Sequence, residues 1–254
     1  MSGYSSLVWN GFRESRRNRV TLVVGFFAVA LVAASVLVTE VTVANFRRVL
    51  VDVGLGFMSL ILVLLAIFLS SGLLAREIER RTIFLIVSKP ISRSGFIFAR
   101  FGGVLLTLVT LELVMAALLL VEVKAYGFQI DRSLLLACAM LTLELLVTAA
   151  LGFFFSSFLN VTLSAICTLG VYMAGQFGSD LYRLGSKTGA LGQAVLRAVY
   201  YLLPNFERLN YRPFATYEAV PTASVTLGSV IYALAYAAGL LVVSAMLFER
   251  RDFK

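Results

Sequence analysis

The sequence predicts an all-α, polytopic membrane protein, and three observations lead to this fold class. Apolar residues make up 60% of the 254 residues, whereas charged residues make up only 14%. A water-soluble globule of this composition would lack the polar surface needed to cover its apolar atoms. The mean hydropathy of +0.92 agrees, and the apolar residues gather into six stretches of roughly membrane-spanning length. We therefore expect a single transmembrane domain over residues 1–254, without a separate soluble domain.

The six predicted spans are all helical because only helices and closed barrels satisfy every backbone hydrogen bond inside a bilayer. The third and fourth spans each contain one charged residue, Glu112 and Glu144 respectively, and the other four contain none. The fifth span is the shortest. The predicted spans are residues 20–38, 55–75, 101–121, 134–155, 161–177 and 223–248.

The distribution of basic residues predicts the orientation of the chain. An even number of spans places both termini on one side, and 13 of the 22 Lys and Arg residues lie on that side. Basic residues accumulate on the cytoplasmic side of membrane proteins, so both termini are expected in the cytoplasm and the protein in the inner (plasma) membrane. The basic residues behind the net charge of +8 are therefore expected to set the membrane topology, and nucleic acid is not expected as a partner.

Several functional classes are excluded by residues that the sequence does not contain. Without histidine there is no His-based catalytic triad and no His-ligated zinc site. Cys138 and Cys167 lie in apolar runs without metal-ligand spacing. A phosphate-binding G-x-x-x-x-G-K-[ST] loop is also missing. We therefore predict no catalytic residue, no metal site and no bound cofactor on this chain.

The N-terminal residues 4–19 are predicted to form an amphipathic helix on the membrane surface. Apolar residues recur at helical spacing, and arginines crowd the end that precedes the first span. Tryptophan suits the membrane interface and arginine suits anionic head groups. A flank that only sets the topology is the alternative. The residues that define this surface helix are Trp9, Phe12, Arg13, Arg16 and Arg17.

The segment between the second and third spans is predicted to project from the membrane as a helical hairpin. The second span runs into charged residues without a Gly or Pro break, and Glu77 and Arg81 have the favourable i, i+4 order. Lys89 precedes Pro90, which marks a helix end. An amphipathic hairpin of this length suits docking on a partner protein; a solvated charged loop is the alternative.

The hairpin sequence resembles that of ABC transporter permeases of the type-2 exporter family. The resemblance continues in Phe12-Arg13-Glu14 near the N-terminus and in Leu203-Pro204-Asn205-Phe206 before the last span, so that it covers nearly the whole chain. Arg81 precedes Thr82 where many family members carry glycine, which changes the surface chemistry of the hairpin. The matching hairpin residues are Glu77, Glu79, Thr82, Leu85, Pro90, Ser92, Arg93 and Phe96.

The resemblance implies that the hairpin is a coupling helix that docks on a separate ATP-binding cassette ATPase subunit. ATP and Mg²⁺ would then bind to that partner subunit, and a six-span permease would pair with a second copy or a homologue. ATP hydrolysis would drive substrate transport by alternating access. The contact residues implied are Arg76, Glu77, Ile78, Glu79, Arg80, Arg81, Thr82 and Leu85.

Two carboxylates are predicted near the middle of the bilayer. Glu112 and Glu144 each lie about 16 Å from the end of their span at 1.5 Å per residue, and the two spans are expected to be antiparallel neighbours. No span contains a basic residue that could pair with them. They are expected to line a substrate path or proton site, or to form a polar clasp between helices. The candidate hydrogen-bonding partners are Thr107, Thr110, Thr142 and Thr148.

These carboxylates support an alternative function, a proton-coupled secondary transporter. In the long loop before the last span, the apolar residues Leu191, Val195 and Val199 recur at i, i+4 spacing. We expect this loop to contain an amphipathic helix that either anchors at the outer interface or covers the exit of a substrate path. A shorter helix of the same kind is expected between Val41 and Gly54.

Overall fold

The computed structural model describes residues 20–41, 45–79, 93–186 and 189–249, and all regular elements within these residues are helical. This confirms the all-α membrane fold. The helices are α1 (Val20–Val41), α2 (Phe46–Glu79), α3 (Arg93–Ala125), α4 (Arg132–Ser156), α5 (Val161–Gln176), α6 (Gly178–Ser186), α7 (Ala190–Leu202), a short 3-10 helix (Glu207–Leu209), α8 (Arg212–Thr216) and α9 (Ala223–Glu249).

Four helices in the described part of the chain are long and apolar enough to cross a membrane. They correspond to the second, third, fourth and sixth predicted spans, and comprise Phe46–Gly72, Gly95–Ala125, Arg132–Ser156 and Ala223–Phe248. The first and fifth predicted spans coincide with shorter apolar helices, Val23–Val36 and Val161–Gln176. The helical structure of all six segments is confirmed, while the crossing of the membrane by the two shorter ones stays a prediction.

Helix α2 extends beyond the predicted span at both ends. The prediction of a short helix between Val41 and Gly54 is wrong, because α2 already begins at Phe46 and continues without a break. Arg47, which lies before the predicted span, forms ion pairs in α2 with Asp131 and Glu218. At its other end α2 continues through the charged residues 76–79, as predicted for the start of the hairpin.

Helix α4 lies at the centre of the bundle and packs against α2, α3, α5 and α9. Its closest approach is to α2, where a Cβ added to Gly152 would lie only 2.6 Å from the Ser70 Cβ atom. Small residues allow helices to approach closely in membranes, where close packing and not water exclusion drives association. Helix α2 additionally contacts α1, α3 and α5, so α2 and α4 together form the core of the fold.

The chain between α5 and α9 folds back onto this core. Helices α6 and α7 pack against each other, and α7 confirms the helix predicted around Leu191, Val195 and Val199. The chain then forms what we call the outer segment, residues 203–218, which contains the 3-10 helix and α8. Its buried apolar residues are Phe206, Leu209, Tyr211 and Ala215. "Outer" here denotes the end of the bundle away from the α2–α3 hairpin.

Candidate functional site

Only some of the predicted coupling residues lie in the part of the chain that the structure describes. Arg76, Glu77, Ile78 and Glu79 form the last turn of α2. The other predicted contacts, Arg80, Arg81, Thr82 and Leu85, lie outside the described residues. The same holds for the predicted surface helix with Trp9, Phe12, Arg13, Arg16 and Arg17. The described part of the chain therefore locates the root of the hairpin, and the proposed contact surface stays a prediction.

Glu112 on α3 is buried, with 3% of its surface exposed. The Thr142 hydroxyl on α4 donates a hydrogen bond of 2.8 Å to Glu112 Oε2, which links the two helices that were expected to be antiparallel neighbours. The other three threonines considered from the sequence donate to backbone carbonyls one turn earlier in their own helices; these are Thr107, Thr110 and Thr148.

Glu144 on α4 is equally buried but has a different set of partners. Its Oε1 atom accepts hydrogen bonds from the Tyr172 hydroxyl at 2.8 Å and from Gln176 Nε2 at 2.7 Å. Gln176 Nε2 also lies 2.8 Å from the Tyr172 hydroxyl oxygen, which closes a three-membered polar cluster. Both partners belong to α5, so the cluster fixes the end of α5 against the middle of α4.

The two carboxylates point to different sides of α4. Thr142, which holds Glu112, and Glu144 are two residues apart, and two residues correspond to a rotation of about 200° around a helix. Glu112 therefore belongs to the interface of α3 with α4, whereas Glu144 faces α5 and the outer segment. Glu144 is also 12 residues beyond Arg132, which places it about 18 Å below the outer end of α4.

A small cavity beside Glu144 contains a cationic side chain that the spans themselves do not supply. Arg212, the first residue of α8, lines this cavity together with Glu144, and its positive charge attracts the carboxylate. Arg212 Nε in turn donates to Asn210 Oδ1 at 3.1 Å. The remaining lining residues come from α2, α4 and the outer segment: Leu55, Ser59, Ala137, Leu141, Leu209, Asn210 and Tyr211.

Several contacts with α5 and α9 fix the outer segment to the core. The Phe206 backbone N–H donates to the Gly175 carbonyl at 3.2 Å. The centroids of the Phe206 and Tyr172 rings are 4.9 Å apart. On the other side, the Asn205 backbone N–H donates to the Tyr232 hydroxyl of α9 at 2.7 Å. The segment thus fills the space between α5 and α9 and closes the bundle above Glu144.

A cluster of ion pairs holds the far end of the outer segment, and we call it the outer clasp. Arg47 of α2 binds both Asp131, the residue that precedes α4, and Glu218, at 2.6 Å in the latter case. Five residues further along α2, Asp52 accepts a hydrogen bond from Thr216. Glu218 has φ of 56°, a left-handed conformation that is uncommon for a residue with a side chain. The outer clasp therefore ties α2, α4 and the outer segment together.

These features describe a helical membrane bundle with a polar interior and a cover on its outer side. A family model described as "ABC-2 family transporter protein" matches residues 5–253. The chain belongs to this family. A search of curated proteins found no match. As an ABC-2 family permease, the chain is an integral membrane component of a transport system and not the catalytic component, and ABC-2 permeases in general associate with ABC ATPase subunits.

Three residues of the site in this ABC-2 permease were missed by the sequence reasoning. Tyr172 and Gln176 lie one helical turn apart in an otherwise apolar span, a spacing that could have indicated a shared polar partner. Arg212 could not be found in this way, because it reaches the site from a loop more than 60 residues away in sequence. Among the described residues, no group of three His, Cys, Asp or Glu side chains is positioned to bind a metal.

Proposed function

We propose that this ABC-2 permease is the membrane-spanning subunit of an ATP-driven exporter. ATP and Mg²⁺ would bind to separate nucleotide-binding subunits and no cofactor to this chain, and the permease would act with a second copy or a homologue. The observation that carries the proposal is the continuity of α2. The apolar sequence of its span ends at Ala75, but the helix continues to Glu79, about 6 Å further, and so carries the first coupling residues on the same rigid element.

Helix α2 connects the proposed coupling hairpin directly to the polar interior. Glu79 and Ser59 are 20 residues apart on this helix, a distance of about 30 Å, and Ser59 lines the cavity beside Glu144. The same helix contributes Arg47 to the outer clasp. A movement of the hairpin that is imposed by ATP-driven closure of the partner subunits would therefore act on the outer segment through one continuous helix.

The outer segment is proposed to act as the exit gate in this cycle. It closes the bundle above Glu144 through contacts with α2, α5 and α9. Part of these contacts are hydrogen bonds and ion pairs, and exposed ion pairs contribute little to stability. Withdrawal of the segment would open the cavity toward the outer side. The substrate itself is not identified by these residues.

The coupling proposal is tested with charge reversal in the hairpin. Tagged permease is co-purified with its ATPase subunit, and ATPase activity is measured with and without the permease. In the Glu77→Lys/Glu79→Lys variant, we expect stimulation of ATPase activity to be lost while membrane insertion is unchanged. Asp180→Lys, which reverses the charge of an exposed acidic residue in α6 and outside the hairpin, is the control and should keep full stimulation. Normal stimulation by the double variant would refute the assignment of the hairpin.

The proposed orientation requires the hairpin and both termini to be cytoplasmic. Single cysteines introduced at residues 2 and 129, in a background where Cys138 and Cys167 are serine, should differ in whole cells. Gln129 is exposed between α3 and α4, so a membrane-impermeant thiol reagent should label position 129 and leave position 2 unlabelled until the cells are opened. The reverse pattern would overturn the proposed topology.

The buried positions of Glu112 and Glu144 favour one alternative, a transporter driven by protons. This function predicts proton uptake by proteoliposomes that contain the permease alone when a pH gradient is imposed. Glu112→Gln and Glu144→Gln should each abolish that uptake. For the ATP-driven function we expect no uptake by the permease alone and intact ATPase stimulation in Glu112→Gln. Gradient-driven uptake that depends on both carboxylates would favour the alternative.

A further inference from the structure

An open groove lies between the outer ends of α4 and α9, on a different part of the molecule from the cavity beside Glu144. Its volume is about 590 Å³. Most of its lining is aliphatic, and the exceptions are Arg132 and Thr226. The lining residues are Arg132, Leu136, Val220, Pro221, Ala223, Thr226, Leu227 and Val230.

Along the helix axes, the groove extends over a distance that corresponds to the outer part of one membrane leaflet. Leu136 lies one turn below Arg132 on α4, about 6 Å. Val230 is seven residues beyond the start of α9 at Ala223, which corresponds to about 10 Å. Leu227 between them is 60% exposed, so the groove is open sideways, toward the position of the lipid acyl chains.

The mouth of the groove carries a positive charge. Arg132 is exposed and is the first residue of α4. Its neighbour Asp131 binds Arg47 and makes no side-chain hydrogen bond to the first turn of α4. The positive end of the helix dipole is therefore left without a side-chain cap, beside the guanidinium group. A helix N-terminus and an arginine together favour an anionic group, and phosphate in particular.

We propose that this groove binds an anionic glycerophospholipid of the leaflet at the outer ends of α4 and α9. Arg132 would bind the lipid phosphate, and one acyl chain would lie along Leu136, Leu227 and Val230. None of the lining residues is acidic. The carboxylates next to the groove in sequence, Asp131 and Glu218, both bind Arg47, so the site offers no unpaired counter-charge for the amine of a zwitterionic head group. The lipid is therefore selected by its net negative charge as well as by its chain. This site is separate from the proposed coupling hairpin and from the cavity beside Glu144.

Native mass spectrometry of the full-length permease tests the charge selection. The protein is purified in detergent and titrated with phosphatidylglycerol or phosphatidylcholine of matched chains. We expect preferential retention of phosphatidylglycerol, and about tenfold weaker retention in Arg132→Gln, because one charge-assisted phosphate contact is lost. Lys124→Gln, which removes an exposed cation at the outer end of α3, is the control and should retain the lipid normally. Equal effects of the two substitutions, or no effect of Arg132→Gln, would overturn the proposal.

A second variant tests whether the acyl chain occupies the groove. Val230→Phe adds bulk within the groove and should reduce retention of both lipids, while the oligomeric state on size-exclusion chromatography stays unchanged. Glycerol 3-phosphate, which has the head group without the chain, should not compete at equal concentration. Effective competition would show a phosphate site without lipid selectivity. A changed oligomeric state with normal lipid retention would assign the groove to a second copy of the chain. Either result refutes the lipid site.

Discussion

The contact between the end of α5 and the outer segment can be broken by adding a single methyl group. A Cβ atom at Gly175 would lie 2.7 Å from Phe206 Cδ2 and closer still to the Pro204 carbonyl oxygen. Carbon atoms in ordinary contact are about 3.5–4.0 Å apart. Gly175→Ala therefore requires the outer segment to retreat by roughly 1 Å, and because one obstacle is backbone, no change of rotamer relieves the overlap.

The expected cost of this substitution follows from what the retreat disturbs. Overpacking in a close-packed site costs about 1–3 kcal/mol, and the Phe206 N–H bond to the Gly175 carbonyl would be stretched at the same time. In a chain of this size, about 1 kcal/mol lowers Tm by roughly 2–4 °C. We therefore expect Gly175→Ala to reduce Tm by several degrees.

The matched control for this prediction lies in the same helix. A Cβ atom at Gly170 would meet nothing within 4 Å, and alanine favours a helix over glycine by up to about 1 kcal/mol. Thermal unfolding of the two variants in the same detergent should give a lower Tm for Gly175→Ala and an equal or higher Tm for Gly170→Ala. If both variants unfold at the wild-type temperature, the outer segment is not packed against α5 as described.

Three further predictions concern other contacts. In a double-mutant cycle, Thr142→Val and Glu112→Ala should couple by about 0.5–1 kcal/mol, as found for hydrogen bonds between membrane helices; additive effects would show that the bond contributes nothing. Gly152→Ala should destabilise the protein by about 1–3 kcal/mol, because the new methyl group overlaps α2. Gly239→Ala, where a Cβ atom meets nothing within 4 Å, is the control, and equal Tm values for these two variants would contradict the close approach. Arg47→Gln should lower Tm at low salt and less so at high salt, since it removes two ion pairs that salt screens; a salt-independent effect would assign the loss to packing.

The fold was predictable from the sequence to the extent that it depends on local apolar composition. All six apolar stretches are helices, and the charged continuation of α2 was recognised because no Gly or Pro interrupts it. The beginning of α2 was misplaced for a different reason. The predicted span begins after the charged residues Arg47, Arg48 and Asp52, whereas the structure pairs Arg47 with acidic residues from two distant parts of the chain. Such pairing cannot be read from local composition.

The two carboxylates of the candidate site could be predicted from the sequence, but the arginine beside them could not. Glu112 and Glu144 stand out because a charge in the middle of a span is costly. Arg212 gives no such signal, since an arginine in a loop is expected to be solvated. It lines the cavity beside Glu144 because the outer segment folds back into the bundle, which depends on the close approach at Gly175 and on the burial of Phe206 and Leu209.

The position of Arg212 changes how the two interpretations of Glu144 relate to each other. With the outer segment in place, Glu144 accepts hydrogen bonds from α5 and lines a cavity together with Arg212, the arrangement expected of a polar clasp. If the segment withdraws as proposed for the exit gate, Arg212 leaves with it, while Tyr172 and Gln176 stay on α5. Glu144 would then line an open cavity as an uncompensated carboxylate, and the low polarity around it would disfavour that state. In the proposed gate, the clasp and the substrate path would therefore be two states of one site. The tendency of Glu144 to regain its cation would favour closure of the gate after substrate has left.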